Sequence, residues 1–249
     1  MIEIINSEED KISFITDMSP TLANAIRRSS LEIPILAIDE VEFIKNDSAL
    51  YDEIIAHRLG LTPLKTEKLN EIEKCICKGK GCSKCTSSFK LSAKGPGTVY
   101  SDGLKPKSSV LYKMPLTLLE ENQEIEFVAK ARVGRAVDHS KYSPGLVFYR
   151  DYAEIKINGG DEEIAKACPT HAIELTEGKL RISDLNKCDL CMACVEVSKK
   201  SGGDSIEVKP SGKLIFFIES WKQISAKEIL EESINSLNKN LKELSKQMK

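Results

Sequence analysis

The sequence has no long apolar run. Its longest, such as LIFFI at 214–218, fall far short of the roughly 20 residues that a membrane-crossing helix needs. The acidic opening MIEIINSEED lacks the apolar centre of a secretory leader, so a soluble, cytoplasmic protein is expected. An excess of one charge is missing too. Lys and Arg number 36 against 38 Asp and Glu, a net −2, so nothing marks the chain as a whole for nucleic acid. Equally absent are an acidic triad suited to two magnesium ions, a glycine-rich phosphate loop and a nucleophile–base pair. No catalytic residue is expected. What remains is 249 residues with 41% hydrophobic and 30% charged content, enough for one large domain or two to three small ones with real cores.

Cysteine is plentiful. The eight cysteines fall into two tight groups of four, and without a secretory leader such groups read as metal sites in preference to disulfides. In KCDLCMACVEVSKK (187–200) Cys188, Cys191 and Cys194 carry the C-x2-C-x2-C spacing of an iron–sulfur run, but the closing position is Ser198 followed by Lys199. Upstream, AKACPTHAIELTEGKLRI (165–182) holds the complementary half. Cys168-Pro169 is a C-P ending, and the three cysteines that should precede it fall at Asn158, Asp161 and Ile164. In two-cluster ferredoxins the fourth cysteine of each run ligates the other cluster. By that crossover Cys168, Cys188, Cys191 and Cys194 form one site, and the second site is gone. HAIELTEGKLRI (171–182) is echoed by DSIEVKPSGKLIF (204–216), so each copy is expected to fold as strand, glycine turn and strand. A [4Fe–4S] cluster is favoured and [3Fe–4S] is the alternative; the bland reading is a degenerate unit whose cysteines are merely buried, or oxidised as a pair that includes Cys168. His171 reads as a loop residue.

The other group, CICKGKGCSKC, places Cys75, Cys77, Cys82 and Cys85 in a C-x-C-x4-C-x2-C pattern amid glycine and lysine. Four soft thiolates suit a closed, tetrahedral structural zinc site that staples a loop. The competing reading is a reduced or disulfide-linked loop.

KISFITDM (11–18) predicts a strand, and Ser19 with Pro20 predicts the start of a helix whose Leu22, Ile26, Ser29 or Ser30 and Ile33 share a face. ILAIDEVEFIKND (35–47) alternates as a strand, a helix is expected from Ser48 to about Gly60, and 88–157 is strand-rich with a turn at 94–97. The last segment opens with Ser225 and Glu228, a capping box. Leu230, Ile234, Leu237, Leu241, Leu244 and Met248 then follow at spacings 4-3-4-3-4, a narrow seam suited to packing along one partner helix, on another chain in preference to its own domain.

LANAIRRSSLEIPILAIDEVEFIKNDSALYDEIIAHRLGLTPL (22–64), GPGTVYSDGLK (95–105) and AKARVGRAVDHSKYSPG (129–145) closely resemble the D-type subunits of archaeal RNA polymerase, a family related to the bacterial alpha subunit. The resemblance implies an α+β fold in three parts. Residues 1–40 and 213–249 would form a discontinuous alpha-like dimerisation domain, and 41–156 a strand-rich insert domain with the cysteine loop 75–85. Residues 157–212 would be a ferredoxin-like iron–sulfur domain. It further implies a non-catalytic scaffold that pairs with subunit L and then gathers subunit N and the large catalytic subunits, making the chain part of a nucleotidyltransferase. Leu22, Ile26, Arg27 and Arg28, with the C-terminal seam, would sit at subunit interfaces, and His57 and Arg58 are further contact candidates. The alternatives are a single-cluster ferredoxin-type electron carrier and, third, a zinc-stapled regulatory module.

Overall fold

KISFIT opens with polar and apolar residues in alternation, a pattern that suits a strand, and its last three residues, Phe14, Ile15 and Thr16, are all buried. In the computed structural model, which describes residues 2–66, 82 and 85–248, β1 (Ile2–Ser7) and β2 (Lys11–Thr16) form an antiparallel hairpin with Ile2 opposite Thr16. Helix α1 (Pro20–Ser29) begins as expected, with the Ser19 hydroxyl accepting the Leu22 N–H at 3.3 Å. Its buried residues are Ala23, Ile26 and Ser29, and Leu22 is exposed.

β3 (Ile35–Asn46) matches its predicted span. The next helix, α2 (Asp52–Gly60), starts four residues later than Ser48. Asn46 causes the delay. Its amide nitrogen donates to the Leu50 carbonyl at 2.9 Å and to Asp52 at 2.7 Å, and its oxygen accepts from the Ser48 N–H and hydroxyl. Such side-chain bonds offer the backbone a turn in competition with a helix. Beyond the cysteine loop come β4 (Thr86–Lys94), β5 (Gly97–Tyr100), β6 (Pro115–Leu119) and β7 (Glu124–Gly134). The turn expected at 94–97 thus separates β4 from β5. β7 is central in the antiparallel sheet β3-β7-β4, and β5 pairs with β6. Ile38, Ile55, Leu59, Phe89, Leu116 and Phe127 are among the buried residues of this core.

β8 (Gly145–Ile157) leads into the short helix α3 (Glu162–Lys166), followed by the hairpin β9 (Ile173–Thr176) and β10 (Lys179–Ile182). The two-residue connection sets Glu177 and Gly178 at φ 52° and +73°, the left-handed pair that a tight hairpin demands. Helix α4 (Ala193–Lys200) and β11 (Ile206–Ser220) follow. Here expectation and structure part. The second repeat copy is not a strand–turn–strand unit, because the chain runs through Gly212 (φ +82°) as one continuous strand. β11 lies between β2 and β8 in the four-stranded sheet β1-β2-β11-β8, and neighbours on both sides satisfy its backbone without a hairpin. Asn158 and Ser205, just beyond the ends of β8 and β11, are joined by an N–H to carbonyl bond of 2.8 Å.

Helix α5 (Ala226–Gln247) closes the chain with the capping box in place: the Ser225 hydroxyl accepts the Glu228 N–H at 3.2 Å, and the Glu228 carboxylate accepts the Ser225 N–H at 2.8 Å. Two compact units result. One comprises Met1–Ser7, Ile12–Asn24 and Val147–Phe217; the other comprises Glu8–Lys11, Ala25–Leu146 and Ile218–Lys249. No helix among the described residues is long and apolar enough to cross a membrane.

Candidate metal centre and assembly face

The cysteines of the first unit are delivered by short elements around a small apolar core that includes Ala153, Ile164, Ile173, Leu180, Ile206 and Val208. Asp161 caps α3 by accepting the Glu163 and Ile164 N–H groups, and Cys168 follows the helix by two residues. Its sulfur accepts the Ala172 N–H at 3.3 Å and lies 3.6 Å from the Thr170 hydroxyl. Burial alone would push this thiol up. The Thr170 hydroxyl and the N–H groups of Ala172, Ile173 and Thr170 outweigh it and bring the Cys168 pKa below the ordinary value.

Cys188 ends a 3-10 turn (Leu185–Lys187) that Asp184 caps through the Asn186 N–H. Leu190 (φ 61°) and Met192 (φ 64°) then take left-handed conformations, costing on the order of 1 kcal/mol each. Cys191 is exposed and Cys194 lies in the first turn of α4. Burial, then the Cys168 thiol, then those of Cys188 and Cys191 leave Cys194 raised. At Cys191 the Ala193 N–H pulls the thiol down, but burial, Asp189 and Cys168 together leave it raised. The sequence-predicted four thus lie near enough to act on one another electrostatically, three of them buried. Such a set gains by binding a cationic centre as thiolates.

Two of the lost ligand positions have structural work instead. Asp161 is the α3 cap. Ser198, buried in α4, donates its hydroxyl to the Gly203 carbonyl and accepts the Ser205 N–H, both at 2.9 Å. Ile164, another lost position, is core. A Cβ at Gly160 (φ +125°) would come within 2.4 Å of Leu180, so apolar side chains close up the space beside it.

Among the described residues, no three His, Cys, Asp or Glu side chains converge as they would on a single metal ion. A tetrahedral zinc with Zn–S near 2.3 Å holds its sulfurs about 3.8 Å apart, whereas a cubane places each thiolate on a different iron and spreads them wider. Cys75 and Cys77 lie outside the described residues. Cys82 and Cys85 are 3.7 Å apart, sulfur to sulfur, and the Cys82 carbonyl accepts from the Cys85 N–H, the Thr86 N–H and the Thr86 hydroxyl.

Sequence reasoning missed Arg150. From β8 its guanidinium donates to the carbonyls of Asn186 and Cys188 and lies over the Phe217 ring, 5.4 Å from its centroid. Nothing local in FYRDY announces this, because its partners come from 36 and 38 residues away.

In the second unit, α5 turns Ala226, Ile229 and Ser233 inward. Ser236 and Asn240 donate to the Glu32 carboxylate at 3.2 and 2.8 Å. The predicted seam is offset from that face. Leu230 and Leu237 are half-buried, while Ile234, Leu241, Leu244 and Met248 are exposed by 39, 54, 54 and 80%. Of the α1 candidates, Leu22 is 46% exposed and Arg28 exposed. Ile26 is 6% exposed, packed within its own chain. Arg27 is half-buried, His57 is exposed, and Arg58 donates to the Leu116 carbonyl at 2.8 Å.

Residues 37–146 match the family described as the RNA polymerase Rpb3/RpoA insert domain. The chain is 33% identical to DNA-directed RNA polymerase subunit Rpo3 of Archaeoglobus fulgidus over 98% of its own length and 96% of that protein. It is 39% identical to the Pyrococcus horikoshii subunit Rpo3, covering 72% of this chain and 71% of the relative. With the Methanosarcina acetivorans subunit Rpo3 the identity is 31%, over 98% and 96%.

Proposed function

The chain belongs to the DNA-directed RNA polymerase subunit Rpo3 family, and from that premise we propose that it is a non-catalytic assembly subunit of a cytoplasmic RNA polymerase. The observation that carries this is the stripe Ile234, Leu241, Leu244 and Met248 along α5, exposed beyond the first turns in which Ala226, Ile229 and Ser233 are already packed. A row of large apolar side chains at heptad-like spacing is stabilised on leaving water when another helix covers it. The partner in this reading is subunit L, and the pair is the platform for subunit N and the large catalytic subunits. The chain supplies geometry and the assembled enzyme supplies nucleotidyl transfer. A single-cluster electron carrier finds no support, since the relatives that match nearly end to end are polymerase subunits.

In the same reading, the segment around 157–212 is a ferredoxin-like insertion in which Cys168, Cys188, Cys191 and Cys194 hold an iron–sulfur cluster, [4Fe–4S] in preference to [3Fe–4S]. The electrostatic effect of Cys168, Cys188 and Cys191 on the Cys194 thiol, the burial of three of the four, and N–H donation to the Cys168 sulfur support it. When bound, the cluster would supply one-electron redox chemistry and four bonds cross-linking separate chain segments. The residues themselves position the sulfurs and keep all but Cys191 from water. For Cys75, Cys77, Cys82 and Cys85 we propose structural zinc, supported by the 3.7 Å Cys82–Cys85 separation.

Co-expression with candidate small polymerase subunits tests the assembly role. Co-purification as a stable heterodimer is expected; a monomer indifferent to every small subunit sinks the proposal.

A further inference from the structure

Two left-handed residues and a 3-10 turn build the loop from Asn186 to Cys194, so much of its backbone lies outside any helix or sheet ladder. Its carbonyls need donors from elsewhere. Arg150 provides them. Two N–H groups of one planar guanidinium reach the carbonyls of Asn186 and Cys188, on either side of Lys187. The same group lies over Phe217, which stacks on Phe148 at 4.7 Å and 14°. Arg150 and Phe148 belong to β8 and Phe217 to β11, adjacent strands of one sheet. A cation held by a rigid fork on one side and an aromatic face on the other has little freedom to leave.

We propose that Arg150 is a positioning residue of the four-cysteine site: it pins the Cys188 end of the loop to the β8–β11 strands and keeps one positive charge beside the cluster. The inference rests on the iron–sulfur reading. Cys188 carries its sulfur on the residue whose carbonyl Arg150 holds, so displacement of that backbone displaces the ligand. A fixed cation beside a centre also favours the more reduced, more negative state.

The test uses the full-length chain reconstituted anaerobically with iron and sulfide, as wild type, Arg150→Met and Arg150→Lys. Methionine keeps an unbranched stem without donors; lysine keeps the charge without the fork. Arg150→Met is expected to lose iron to a chelator roughly tenfold faster, the range typical of outer-shell partners, and to show a lower reduction potential. Arg150→Lys should restore the potential but only part of the retention. Wild-type loss rate and potential in Arg150→Met overturn the proposal. Should that variant fail to fold, wild-type retention in Arg150→Lys overturns it instead. If the wild type itself takes up no iron and sulfide, the cluster reading fails by itself. Amide exchange over 186–194 in the metal-free chains then decides: faster exchange in Arg150→Met upholds the anchor, and equal exchange overturns it.

Discussion

Asp39 shows how much a single carboxylate can organise. It takes Arg132 at 2.7 Å, the Lys141 ammonium and the Tyr142 hydroxyl at 3.1 Å, tying β3 to β7 and to the segment after it. Burial would raise its pKa, but Lys141, Tyr142 and Arg132 prevail and hold it below the ordinary value. A depressed native pKa adds stability that is present above the unfolded value near 3.9 and is lost as pH falls through the native one. Asp39→Asn should therefore destabilise by about 1–3 kcal/mol at pH 7, with the gap to wild type closing below about pH 4 in denaturant titrations. A gap that persists unchanged into acid would contradict this. At the proposed cluster, Cys168→Ser should turn a four-iron EPR signature into a three-iron one, and an unaltered spectrum removes Cys168 from the ligand set. The proposed quartet Cys168, Cys188, Cys191 and Cys194 rests on spacing along the chain, which the sequence displays directly. Arg150 and Thr170 could not be read there, since proximity of that kind exists only after folding.

Among the elements, α5 was legible in its cap, its length and its seam, yet the seam was only half of its design. The helix buries Ile229 and Ser233 against its own chain and leaves Leu241 and Leu244 outside. Periodicity reports that apolar residues share a face and is silent on whose surface meets them. Two substitutions separate these roles. Ile229→Ala should cost roughly 2–4 kcal/mol of the isolated chain's stability. Leu241→Asp should leave that stability within about 0.5 kcal/mol and weaken pairing with the small subunit by about 2 kcal/mol or more. Calorimetry of the free chain and titration with the partner measure the two quantities, and an unaffected pairing would remove the stripe from the interface. The late start of α2 and the unbroken β11 escaped the sequence for one reason: long-range or side-chain bonds overrode local signals, at Asn46 in the first case and through the flanking strands β2 and β8 in the second.

For the molecule as a whole, the cysteine quartet lies in one compact unit and the α5 stripe in the other. Removing the proposed cluster should therefore strip amide protection from residues 160–204 while changing heterodimer affinity less than about threefold, a shift under 1 kcal/mol. Mass-resolved exchange and a binding titration on the same sample read both; a collapse of affinity would show the quartet to be coupled to assembly. Fold class and family likeness were legible in local stretches such as 22–64, whereas the division into units depends on contacts between distant segments.

The bond between Asn158 and Ser205 has an evolutionary consequence. The chain leaves the sheet and returns to it at neighbouring points, so the intervening residues begin and end where a tight turn would. Closing such an excursion costs little, and the cost grows only logarithmically with its length. The position is thus a socket: the chain between residues 158 and 205 can be lengthened, exchanged or trimmed to a short turn at small entropic cost to the strands it joins.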